Sequence, residues 1–202
     1  MLDNGNVGGG CAKDDWENFA PNADDVVLSL HVASVATGLT CHDRDRTPAT
    51  VALVDAKSRV VGAWVLQVAE EDLVSYLTPL SGVTQQILST GTQSLGEVRR
   101  ELSSKLEEYG GADRVIFVGQ SPDCYLKCMG LEEGALYKRV IDLAEEFRVG
   151  RIRFSLEHEA KVLLNWKKPK AKKGKQKVPL SSAECAKMSM RLYNKLMDLK
   201  RD

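Results

Sequence analysis

The chain has 202 residues, with 28 basic and 28 acidic side chains and no net charge. That length suits one domain able to bury roughly 70% of the surface its unfolded form exposes. No apolar run approaches the ~20 residues that span a bilayer, so a membrane partner is not expected.

Residues 1–20 have neither the apolar core of a signal peptide nor the arginine-rich pattern of a transit peptide. Residues 1–24 read as a flexible arm and 25–202 as the folded domain. The cysteines (Cys11, Cys41, Cys124, Cys128, Cys185) are odd in number and form no C-x-x-C pair. They read as reduced thiols of an intracellular protein, nuclear or cytoplasmic and not secreted.

Val26–Val35 predicts a long strand, apolar on both faces as in the centre of a sheet. Alternation puts Ser29, His31 and Ala33 on one side of it. Gly38–Pro48 reads as a charged loop, and Thr50–Asp55 and Arg59–Gln67 as a hairpin. Val74–Thr90 reads as irregular, punctuated by Pro79 and Gly82. Ser94 and Glu97 form a capping box that opens a helix with the stripe Leu95, Val98, Leu102, Leu106 and Tyr109, ended by Gly110 and Gly111. Arg114–Gly119 predicts a buried strand. Ser121 and Pro122 read as N-cap and first residue of a helix that ends near Gly130. A strand runs into a short helix over Val140–Phe147, and Ser155–Asn165 predicts another helix. Ser181 with Glu184 opens the last helix, with the stripe Ala186, Met190, Tyr193 and Met197. The order implies a mixed α/β sheet flanked by helices and starting with an antiparallel meander.

The charge is uneven. Seven lysines (Lys167, Lys168, Lys170, Lys172, Lys173, Lys175 and Lys177) fall in one basic loop over 166–179 with no acid among them. Without them, 21 bases face 28 acids, so an acidic body carries a basic loop. Such a loop is the electrostatic footprint of RNA binding; an import signal or a solvated loop are the other readings. Trp166 either stacks on a base beside it or anchors the loop to the body. Trp64 and Tyr76 read as core aromatics, and Cys124 with Cys128, one helical turn apart, as buried structural thiols.

Six stretches taken in order resemble the DEDD exonuclease superfamily, and most closely its branch that trims RNA 3′ ends with a histidine in the last motif. They are VVLSLHVASV, TPATVALVDAKSRVVGAWV, SYLTPLSGVT, VIFVGQSPDCYLKCMGL, VIDLAEEF and AECAKMSMRLYN. The resemblance covers about Val26–Leu196 and implies a ribonuclease H-like fold. It also implies two divalent metals about 4 Å apart, held by four carboxylates, with a histidine as general base. Carried over position by position, the four acids fall on Ser29, His31, Tyr125 and Cys185, and the general base on Leu180. None is a carboxylate, and hard magnesium ions prefer oxygen anions. His31 and Cys185 are zinc-capable types, but Ser29 and Tyr125 are poor further ligands, so no metal or other cofactor is expected.

The resemblance and its departures together imply a catalytically inactive exonuclease-like domain that binds RNA, a protein or both within a ribonucleoprotein assembly. A purely protein-docking subunit and a residual or altered 3′-5′ exoribonuclease are the competing readings.

Overall fold

A computed structural model describes residues 20–40, 42–131, 136–168 and 179–201. Strands β1 (Val26–Ala36), β2 (Arg46–Asp55), β3 (Val60–Val65), β4 (Val115–Gly119) and β5 (Arg139–Asp142) form one sheet in the order β3-β2-β1-β4-β5. β1, β2 and β3 pair antiparallel, while β4 and β5 add in parallel beside β1. β1 is therefore central, which explains why its sequence is apolar on both faces.

Helices follow as α1 (Thr78–Ser81), α2 (Gln85–Leu88), α3 (Leu95–Glu108), α4 (Gly111–Arg114), α5 (Pro122–Cys128), α6 (Leu143–Glu146), α7 (Leu156–Leu163) and α8 (Ser182–Arg201). One face of the sheet packs on α3: Leu28, Leu30, Leu53 and Phe117 meet Val98, Leu102 and Leu106. The other packs under α8, where Val27, Ala52, Val54 and Val118 meet Ala186, Met190, Tyr193 and Met197. Both stripes are the ones the helical period predicts, and both capping boxes form.

Three local expectations are corrected. β2 begins at Arg46, so it takes in residues assigned to the charged loop. Pro48 is accommodated because the pairing with β1 shifts register there, at an irregularity between Ala33 and Ser34; proline has no N–H to lose at a bulge. The stretch 74–90 is not wholly irregular. It holds the two single-turn helices α1 and α2, the first led by Pro79 and the second capped by Thr84. Ser121 does not cap α5 with its side chain: it adopts φ 52°. Its N–H instead donates to Asp142 Oδ1 at 2.8 Å. The same oxygen accepts from Ala144 N at 2.9 Å, so one carboxylate ties the starts of α5 and α6 together.

The residues before β1 are held to the body by Arg114 Nε donating to the Asp24 carbonyl (2.6 Å) and by Lys138 Nζ against Asp25 Oδ1 (2.7 Å). The early part of the arm, 1–19, lies outside the described residues.

Gly82 fixes how α1 sits against the start of α8. Its φ is +71°, and a Cβ there would lie 2.8 Å from the Leu180 carbonyl oxygen. Gly82→Ala is therefore expected to destabilise by about 1–3 kcal/mol in urea unfolding. Gly96→Ala, in α3 where an added Cβ meets nothing within 4 Å, should instead stabilise by up to about 1 kcal/mol. Equal effects would contradict the close approach at Gly82.

Candidate functional site

β1 brings Ser29 and His31 to the α8 side of the sheet, since both share a face with Val27. Ser29 is fully buried, and its Oγ has no hydrogen-bond partner among the described residues. The His31 Nδ1 is likewise buried without a partner. Burial lowers the imidazole to about 4, so the ring is neutral near pH 7. Tyr125, on α5, closes over it with ring centroids 4.9 Å apart at 53°.

Burial pushes the Tyr125 phenol well above its ordinary range, and the neighbouring thiols of Cys185, Cys124 and Cys128 push the same way. Cys185, on α8, is half-buried. Burial raises its thiol to about 12, with Glu184 and Glu157 adding to the rise and Lys168 opposing it. Ser29 and His31 thus share one strand face with Tyr125 over His31, and these three groups and the Cys185 thiol, whose field acts on the Tyr125 phenol, are all uncharged near pH 7.

Leu180 does not line the His31 cleft. It lies in a second groove, of about 460 Å³, between the end of α7 and the first turns of α8, together with Trp166 and Met188. The His31 cleft holds about 590 Å³ and opens between the ends of β1 and β2, α1 and α5. Arg46, Leu80, Cys124 and Lys127 stand on its walls. Cys124 is exposed, which corrects its assignment as a buried thiol; Cys128 is half-buried. The reason is helix phase: Leu126 and Met129 take the buried face of this segment, and Cys124 points away from it.

Trp64 is a core residue, with Nε1 donating to Glu101 Oε2 at 2.7 Å. Trp166 is half-buried against the α8 core, and Lys167 is exposed. Lys168 pairs with Glu157 at 2.6 Å. Lys170, Lys172, Lys173, Lys175 and Lys177 lie outside the described residues.

A two-metal site does not fit this chemistry. A hydroxyl, a neutral imidazole, a protonated phenol and a protonated thiol offer no anionic oxygen. Among the described residues, no group of three or more His, Cys, Asp or Glu side chains is arranged to hold a metal ion.

No family model matches the chain, and no curated protein matches it. Solved structures do. The Saccharomyces cerevisiae Pan2 pseudoubiquitin hydrolase-RNA exonuclease module, in complex with AACCAA RNA, superposes with a TM-score of 0.69 at 19% identity, over 92% of this chain. The Neurospora crassa Pan2 catalytic unit, comprising protease and nuclease domains, gives 0.67 at 18% identity over 90%. The chain has a ribonuclease H-like fold. It spans only 31% and 28% of the lengths of those two proteins. Among the described residues, no helix is long and apolar enough to cross a membrane.

Sequence reasoning missed Glu159. It is 2% exposed. Its Oε1 accepts from Gln120 Nε2 at 3.2 Å, and its Oε2 has no partner among the described residues. Gln120 Nε2 also donates to the Phe154 carbonyl at 2.6 Å. A signal was available: Glu159 lies three residues after Leu156 and beside Ala160, on the inward stripe of α7. Burial raises its carboxyl to about 7; Asp142 adds to the rise and the Gln120 hydrogen bond opposes it.

Glu159 and His31 act on stability in opposite directions. Glu159, raised from 4.5 to about 7, contributes fully below pH 4.5, and its contribution is lost as pH rises through 7. His31, lowered from 6.5 to about 4, contributes fully above pH 6.5, and its contribution is lost as pH falls through 4. Between pH 4.5 and 6.5 the two slopes cancel. Glu159→Gln removes one of them, so the variant's unfolding free energy should rise with pH across that window, by at most about 1.4 kcal/mol per unit. Denaturant titrations of both proteins check this; parallel profiles would contradict it.

Proposed function

We propose that this chain is a catalytically inactive exonuclease-like domain, over 25–202 behind an arm at 1–24, that binds RNA within a ribonucleoprotein assembly. The observation that carries the reading is that Ser29, His31, Tyr125 and Cys185 are all uncharged near pH 7. They occupy the positions where the resemblance calls for four metal-binding carboxylates, with Leu180 in place of the general base. A leucine moves no proton, and four uncharged groups do not offset the charge of two magnesium ions.

RNA as ligand is supported by three features. The yeast Pan2 neighbours include RNA complexes. The lysine segment supplies seven cations within eleven residues, from Lys167 to Lys177. At its start, Lys168 pairs with Glu157 and its charge opposes the rise of the Cys185 thiol. A protein-docking role has its own support in exposed aliphatic side chains: Val149, Ile152 and Val162 are each more than 60% exposed. A partner that stays bound through nuclease digestion would favour that second reading.

The chain is expected to leave 3′-labelled and 5′-labelled single-stranded RNA intact in magnesium or manganese. Trimming that follows the protein through independent preparations would contradict inactivity. Binding should weaken with salt. Three or four phosphate contacts give a slope of log affinity against log salt of about −2 to −3, and all seven lysines about −5. Neutralising Lys167, Lys168, Lys170, Lys172, Lys173, Lys175 and Lys177 should flatten that slope. No binding at low salt, or binding indifferent to those charges, would sink the RNA reading through this loop.

A further inference from the structure

We infer that the groove between α7 and α8 is a second single-stranded RNA contact, in which a base stacks on Trp166 while Lys187 and Arg191 hold neighbouring phosphates. The inference rests on the RNA reading above and extends it from Trp166, where the basic loop begins, onto Lys187 and Arg191 of α8, residues that do not line the His31 cleft.

The groove's volume of about 460 Å³ falls within the ~300–1,000 Å³ of sites that take compact ligands. Its floor is apolar, made by Trp166, Leu180 and Met188, and its rim carries Lys187 and Arg191. These two cations are four residues apart on α8, so they stand on one helix face about 6 Å apart along the axis. Neither makes an ion pair among the described residues, whereas Lys168 and Lys200 are paired with Glu157 and Glu146. Among the described residues, the one acid lining the groove is Glu184. Its Oε2 accepts from both the Ser181 N–H and the Ser181 hydroxyl, each at 2.8 Å, so it is engaged in capping α8.

An indole face beside two unpaired cations matches the two parts of a nucleotide. Stacking takes any base, and the cations take the backbone. An acidic peptide would satisfy the cations but leave the indole without a planar partner, so the groove's chemistry favours RNA over protein.

The test uses the full chain and a fluorescein-labelled oligoadenylate, with anisotropy read across a salt series. The Lys187→Ala/Arg191→Ala double variant should reduce the magnitude of the salt slope by about 1.4, for two lost phosphate contacts on a single strand. Trp166→Ala should weaken binding by about 5- to 160-fold, and Trp166→Phe should recover most of the loss. Because Trp166 also packs on the core, the double variant decides if Trp166→Ala fails to fold. A double variant with wild-type affinity and slope would overturn the groove. If a loop neutralised at its lysines had meanwhile lost binding, the RNA reading itself would stand. Failure of the wild-type chain to bind would remove both. A double variant that binds RNA normally but loses a co-purifying protein would assign the groove to a protein partner and overturn its RNA role.

Discussion

The packing of α8 across β1 and β2 governs the candidate site. The helix lays Ala186, Met190 and Tyr193 over the same face of β1 that carries Ser29 and His31. Ser182, at its start, meets Thr50 of β2 through an Oγ to Oγ1 contact of 2.7 Å. Water is thereby kept from Ser29 and from His31 Nδ1. The consequences are electrostatic. The imidazole loses its proton, while the Tyr125 phenol and the Cys185 thiol keep theirs. A carboxylate at Ser29 would be buried with no ion-pair partner among the described residues, which is costly.

Most of the fold was legible because its signals are local or periodic. The β1 run, the α3 and α8 stripes and both capping boxes all appear where residue spacing puts them. The misses have physical causes. Pro48 argued for a loop, yet a register irregularity lets β2 absorb it. Ser121 has the chemistry of an N-cap, but its backbone sits at positive φ and donates to Asp142, a partner 21 residues away. Cys124 reads as buried by residue type, whereas helix phase turns it outward.

The site was legible only in part. The resemblance singled out Ser29, His31, Tyr125 and Cys185; the fold puts Ser29 and His31 on one face of β1 and packs Tyr125 on His31. Leu180 lines the α7–α8 groove instead of the His31 cleft. Glu159 escaped notice because a single acid on an apolar stripe is easily taken for an interruption. Lys187 and Arg191 escaped because two bases within a charged helix look like a solvated face. Their significance depends on Trp166 and Leu180 lying beside them, which is a matter of tertiary packing.

On the proposed reading, the exonuclease-like fold keeps its cleft and its basic surroundings while its former metal positions are neutral. The most direct measurement is titration with manganese followed by electron paramagnetic resonance. Neutral groups at these positions predict that added ion keeps its free-solution signal, with no stoichiometric site. Two saturable manganese ions per chain, weakened by changes at His31 or Cys185, would contradict the account.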